Sequence, residues 1–135
     1  MKSYILCAAV LALGACATQP APLGPSIPDE PTGPALSAPD VQALVVGNTG
    51  TGTMSGSNAT YAMYVMPGGK AELRRPTGIE DGNWQITPDG KFCVKWELFR
   101  GGEDYCQRVY KNGPVYQFHN LNSVELLTFE AGRQL

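Results

Sequence analysis

The sequence predicts a mostly β domain, a small antiparallel sandwich or barrel carrying one short N-terminal helix. Three observations lead there. Runs with strand composition recur at short, even intervals from Thr60 to the end of the chain. Turn signals separate them, at Pro67-Gly68-Gly69, Pro88-Asp89-Gly90 and Asn112-Gly113. Only one segment, just after a proline-rich stretch, has a helical period.

That segment begins at Ser37-Ala38-Pro39-Asp40. Serine at the N-cap, proline in the first turn and an acid at the third helical position form a helix-start signal. Val41, Leu44 and Val45 then make one apolar face, and Gly47 stops the helix after about two turns. So short a helix is expected to plug the domain. From Asn48 the pattern turns to β. The run Gly47-Asn48-Thr49-Gly50-Thr51-Gly52 resembles a phosphate cradle, but it lacks the Gly-Lys-Ser/Thr ending of a P-loop and opens no helix. It reads as a flexible β-turn segment.

Thr60–Met66 has strand composition with both faces apolar, and Lys70–Arg75 alternates. Asn83–Thr87 places Trp84 and Ile86 on one face. Lys91–Phe99 reads as one long strand, with Phe92, Val94, Trp96 and Leu98 on one side and Cys93, Lys95, Glu97 and Phe99 on the other. Arg100–Asp104 is a loop, Tyr105–Lys111 returns, and Pro114–Leu121 and Val124–Phe129 complete the set. About seven strands with glycine-rich turns suit a sandwich or small barrel.

The N-terminus is organised differently. Lys2 precedes an uncharged apolar run, Tyr4–Leu13, and small residues follow. This is the grammar of a secretory signal, and the run is too short to span a bilayer. Leu13-Gly14-Ala15-Cys16 looks like a lipobox, so cleavage before Cys16 and acylation of that cysteine are expected. The alternative is a plain signal peptide with a chance cysteine. Acyl chains stabilise membrane association by about 0.8 kcal/mol per buried CH₂, and two or more anchor stably. Ala17 stands where an aspartate commonly retains such proteins in the inner membrane, so the outer membrane is expected. The domain would face the periplasm or the cell surface.

The expected organisation is therefore a signal segment at 1–15, a lipidated cysteine and tether at 16–36, and the β domain at 37–135. Residues 17–36 hold six of the eleven prolines and no aromatic residue. Such a stretch cannot build a core and should be an extended spacer of about 3.1 Å per residue. Specific recognition of its prolines is the alternative.

Charge excludes some partners. From Val41 onward there are 9 basic and 9 acidic residues. A neutral domain lacks the basic stripe of nucleic-acid binders and has no electrostatic pull toward anionic lipid. Once Cys7 leaves with the signal and Cys16 takes lipid, Cys93 and Cys106 remain, and an even pair in an oxidising compartment reads as a disulfide. The alternatives are two buried thiols or, with too few ligands, a zinc site.

The order Gly47-Asn48-Thr49, Tyr64, Gly82-Asn83-Trp84, Asp89-Gly90-Lys91-Phe92-Cys93, Trp96, Cys106, Gly113 and Tyr116 resembles the proteobacterial family of secreted proteins designated DUF995. The resemblance runs from Ser37 to Tyr116 and implies a compartment and a fold type but no activity. A weaker resemblance is to the metalloprotease-inhibitor family of envelope lipoproteins and periplasmic proteins. These are small β-barrels with one disulfide and an early tryptophan. They act through an N-terminal trunk, which here is the proline-rich tether.

No catalytic motif emerges. His119 is the sole histidine; Ser123 is near it in sequence, but no Gly-x-Ser-x-Gly elbow exists. Glu80-Asp81 and Glu103-Asp104 are adjacent acids that read as solvated turns. Tyr61, Tyr64, Tyr105, Tyr110 and Tyr116 are candidate recognition aromatics, since both registers of a strand cannot be buried in so small a domain. The expectation is a non-enzymatic outer-membrane lipoprotein, a binding or structural module. It needs no cofactor or metal, and its partners would be the membrane and an envelope protein or cell-wall glycan. The alternatives are a lipid-anchored protease inhibitor and, third, an envelope hydrolase.

Overall fold

The structure, a computed structural model, describes residue 31, residues 33–54 and residues 57–135. The signal segment, Leu13, Gly14, Ala15, Cys16 and most of the tether lie outside the described residues. Helix α1 (Ala38–Val45) leads into eight strands: β1 (Asn48–Thr53), β2 (Thr60–Val65), β3 (Lys70–Arg75), β4 (Gly78–Ile86), β5 (Phe92–Trp96), β6 (Tyr105–Asn112), β7 (Val115–His119) and β8 (Val124–Ala131). A 3₁₀ turn, Phe99–Gly102, lies between β5 and β6. Each strand pairs antiparallel with the next, and β8 returns to β1 to close a barrel. Of the two architectures the sequence left open, the chain adopts the barrel.

The helix forms where its start signal lies. Ser37 caps it by accepting a hydrogen bond from the Asp40 N–H, satisfying one of the free donors of the first turn. Val41 and Val45 are fully buried against the barrel core. The plug is tied in by backbone bonds from Leu36 N–H to Val109 C=O and from Gly47 N–H to Val65 C=O. Those contacts place α1 at the end where β2, β4, β6 and β8 finish. The other end, where β1, β3, β5 and β7 finish, is the mouth.

Strand alternation puts Met63, Val65, Leu73, Val94, Trp96, Val109, Phe118 and Leu127 inside. Phe92 sits among aromatics, stacked on Trp84 and edge-on to Phe118. Trp96 is 4 % exposed, and Trp84 is half-buried with its indole N–H donating to Met66 C=O. Cys93 and Cys106 are directly opposite each other on β5 and β6 and form the disulfide. The bridge crosses adjacent strands on the outer face, at the base of the loop over residues 97–104.

Two departures from the sequence reading have clear causes. The segment at 47–52 is not a flexible turn: Asn48–Thr53 is β1, paired on both sides. Its glycines are filled from elsewhere, since a Cβ at Gly50 would stand 2.8 Å from the Phe129 ring. Gly82 in β4 is likewise covered by Trp96, 2.4 Å from where its Cβ would be. The second departure is β5, which ends at Trp96 rather than Phe99. Leu98 leaves the extended region (φ −122°, ψ −41°), so the alternation changes phase. Leu98 consequently faces solvent, and Phe99 turns toward the core.

Candidate functional site

The two ends of the barrel are chemically unlike. The plugged end is closed by valines. At the mouth, inward positions are occupied by Tyr61, Arg75, Glu80, Tyr105, Gln107 and Glu125, and the 97–104 loop folds over them.

Glu80 anchors this loop. It stands opposite Leu73 in the β3–β4 register, so its side chain enters the barrel, and the residue is only 8 % exposed. One carboxylate oxygen accepts a hydrogen bond from Arg75 at 2.6 Å; the other accepts from the backbone N–H groups of Leu98 and Phe99 at 2.7 and 3.0 Å. Burial pushes the Glu80 carboxyl up, but the Phe99 and Leu98 N–H groups and the Arg75 guanidinium outweigh it and hold it below the usual carboxylate range. The adjacent acids at 80 and 81 are therefore not a solvated turn: Asp81 is exposed, Glu80 is not.

Arg100 forms the second half of the closure. Its guanidinium makes an ion pair with Glu125 of β8, and Gln107 of β6 donates to the other Glu125 oxygen at 3.2 Å. The same guanidinium lies 3.4 Å from the centroid of the Tyr105 ring and 5.1 Å from that of Phe99, while Arg75 covers Phe99 at 4.7 Å. Phe99 is thus packed by two arginines, each held by a carboxylate. Below Glu125 a residual cavity of about 30 Å³ is lined by Tyr61, Met63, Leu73, Val94, Trp96 and Leu127 among others. Burial pushes the Tyr61 hydroxyl up, and the Glu125 carboxylate beside it adds to the effect.

The candidate recognition tyrosines are not brought together. Tyr61 is inside the barrel and 9 % exposed, so it presents no recognition surface. Tyr105 faces the mouth interior, and its hydroxyl is hydrogen-bonded to Ser123. Tyr116 packs edge-on against Phe129. Tyr64 and Tyr110 are half-buried on the outer face, on β2 and β6. Tyr110 stands edge-on to His119.

His119 has Gln117 as its hydrogen-bond partner, at 3.3 Å, and burial lowers its pKa. Ser123 bonds to Tyr105 and Asn120 rather than to His119. Among the described residues no three His, Cys, Asp or Glu side chains gather as a metal site, and no helix is long and apolar enough to cross a membrane.

Sequence reasoning missed Arg75, Glu80, Arg100 and Glu125 as a group. Part of the signal was there. Glu80 is in phase with Gly82, Trp84 and Ile86, and Glu125 with Leu127 and Phe129, so each shares the inward face of its strand. Arg100 had no such phase, because it lies on a loop.

No protein-family model, curated protein or solved structure matches this chain.

Proposed function

We propose that this protein is a lipid-anchored envelope module that binds another protein through the rim of its barrel mouth, without catalysing a reaction. One observation carries the reading. The three exposed large apolar residues among those described are Ile79, Leu98 and Leu121, at 52 %, 76 % and 102 % exposure. Ile79 is the second residue of β4, just past the β3–β4 turn, Leu98 lies in the β5–β6 loop and Leu121 in the β7–β8 turn, so three of the four mouth connections each have one in or beside them. Exposed aliphatic side chains around one rim suit a protein surface. Sugar rings are bound more often on exposed aromatic faces, and the tyrosines here are inside or dispersed. A protein partner is therefore preferred to cell-wall glycan.

The lipobox supports the anchor, and the fold supports its orientation. The tether enters beside α1, and the last strand also ends there, so an acyl-anchored barrel carries its rim away from the tether. The resemblance to secreted DUF995 proteins agrees with this compartment. Replacing Cys16 by serine is expected to release the protein from the outer-membrane fraction and to raise its mass by the retained signal; unchanged fractionation would refute the anchor.

For the rim, a photo-crosslinking residue is placed at 79, 98 or 121 in cells, with 43 on the helix as the control. The expected result is one protein adduct from the rim positions that purified barrel competes away and Leu98→Asp abolishes. Equal labelling from position 43 would overturn the reading.

The closed barrel also supports the protease-inhibitor alternative, in which residues 17–36 would act as the trunk. That reading places contact at the plugged end. Deletion of 17–36 would then abolish inhibition of a secreted metalloprotease, while Leu98→Asp would leave it intact.

A further inference from the structure

Eight-stranded barrels have room inside for packed side chains or for one small ligand. In this barrel the plugged half is filled by Phe92, Phe118, Phe129 and the helix valines. The mouth half is closed differently, by two side chains of the 97–104 loop, Phe99 and Arg100, set among the inward residues of the strands. Arg100 reaches in from the 97–104 loop and occupies what is in every respect a cation site. Glu125 supplies the carboxylate, Gln107 orients that carboxylate from its other oxygen, and Tyr105 and Phe99 supply aromatic faces.

The manner of delivery sets this closure apart from the plug. Arg100 has φ 56° and ψ 33°, a left-handed conformation that a side chain with a Cβ adopts at a cost. Gly101 and Gly102 follow at φ 67° and 69°. The loop's fastening to Glu80 is through Leu98 and Phe99, ahead of this segment, so an outward swing of Arg100–Gly102 would leave that latch made and would give up only the Gly101 N–H to Leu98 C=O and Glu103 N–H to Arg100 C=O bonds besides the contacts of the Arg100 side chain. Glu125, Gln107, Tyr105 and Tyr61 remain when the segment swings, because they are on paired strands, and Phe99 stays with the latch. Removal of the Arg100 side chain would join its volume to the small cavity beneath, over an apolar floor of Met63, Leu73 and Leu127.

We infer that the barrel mouth is a binding site for a small organic cation, a guanidinium or primary ammonium on a short apolar body, and that Arg100 is its internal stand-in. The ligand's charged group takes the place of the Arg100 guanidinium on Glu125, and its apolar body lies on the floor. This site is distinct from the protein-binding rim, and it stands or falls separately from that reading.

The test uses the mature chain and n-hexylguanidinium as probe, with n-hexanol as the uncharged control. Arg100→Gly vacates the site and suits the left-handed backbone. Titration followed by calorimetry and by the Gln107 side-chain amide resonances should show saturable binding by Arg100→Gly, at least tenfold tighter than by wild type. The Arg100→Gly, Glu125→Gln double variant should lose it, and n-hexanol should not bind. In the wild-type chain, the Arg100 Nε–H resonance should move toward its solvent-exposed position as probe is added. This measurement does not depend on any variant folding. Absence of saturable binding at millimolar probe, an Arg100 signal that does not move, or binding indifferent to Glu125→Gln would overturn the proposal and leave Arg100 as a structural plug.

Discussion

The two ends of this barrel close by opposite physical means. At the plugged end Val41 and Val45 enter an apolar core, and the capping bond from Asp40 N–H to Ser37 fixes where the helix begins. Among the described residues, no buried side chain there carries charge. At the mouth the closure consists of two arginine–carboxylate pairs around Phe99, with a left-handed arginine in the covering loop. Apolar burial is non-directional and insensitive to pH, so it suits an end that must only stay shut. Ion pairs in a half-buried site cost desolvation and contribute modest net stability. Local opening is therefore expected to cost least at the mouth, and binding elements are commonly drawn from such low-stability segments.

The comparison can be broken at its strong end first. Phe92→Ala removes the aromatic that touches Trp84 and Phe118 and should cost about 3–5 kcal/mol, equally at pH 7 and pH 4, by urea unfolding. A loss confined to acid would contradict the division of roles. Replacing Cys93 and Cys106 by serine should cost about 3 kcal/mol, because the bridge closes a short loop in the unfolded chain. Hydrogen exchange should then accelerate most over residues 97–104, the loop whose base it fastens, and least in α1.

Glu80→Gln should cost about 2 kcal/mol at pH 7, since it weakens one ion pair and two charge-assisted backbone bonds. Its pH dependence follows from the lowered carboxyl pKa. The unfolded chain takes up the proton first, near pH 4.3. The Glu80 contribution is therefore complete above that value and is lost as pH falls through the lower folded value. Wild type should lose stability across this window more steeply than the variant. Parallel curves would show that Glu80 does not fasten the loop. The smallest effects belong to the rim: Leu98→Ser and Leu121→Ser should change stability by less than about 0.5 kcal/mol, as both side chains already face water. A larger loss would mean that the rim is part of the fold and not a surface kept for a partner.

The β architecture was legible wherever a strand carries its own side-chain alternation. Lys70–Arg75 has the predicted limits, and Phe92, Val94 and Trp96 have the predicted face. The helix was legible because its cap and its face are local. β1 was not, since Asn48–Thr53 contributes threonines and glycines whose space is filled by Phe129 and Tyr61 from distant strands. The phase change at Leu98 was equally hidden, and with it the inward turn of Phe99. The disulfide could be paired by elimination, as two cysteines remain for the domain. The mouth network could not, because Arg75, Glu80, Arg100 and Glu125 come from four separate elements and meet only when the barrel closes.

Closure itself has a consequence for how such a chain is made. Among the described strands every pairing joins sequence neighbours except one, β1 with β8. A polypeptide that emerges or is exported N-terminus first can form its hairpins one after another, yet it cannot complete the ring until Val124–Ala131 arrives. Until then Asn48–Thr53 has a free edge, and Gly50 lacks the Phe129 ring that covers it. The last strand is thus a kinetic lock: the ring stays open while β1 to β7 form and becomes a closed body only when Val124–Ala131 joins Asn48–Thr53.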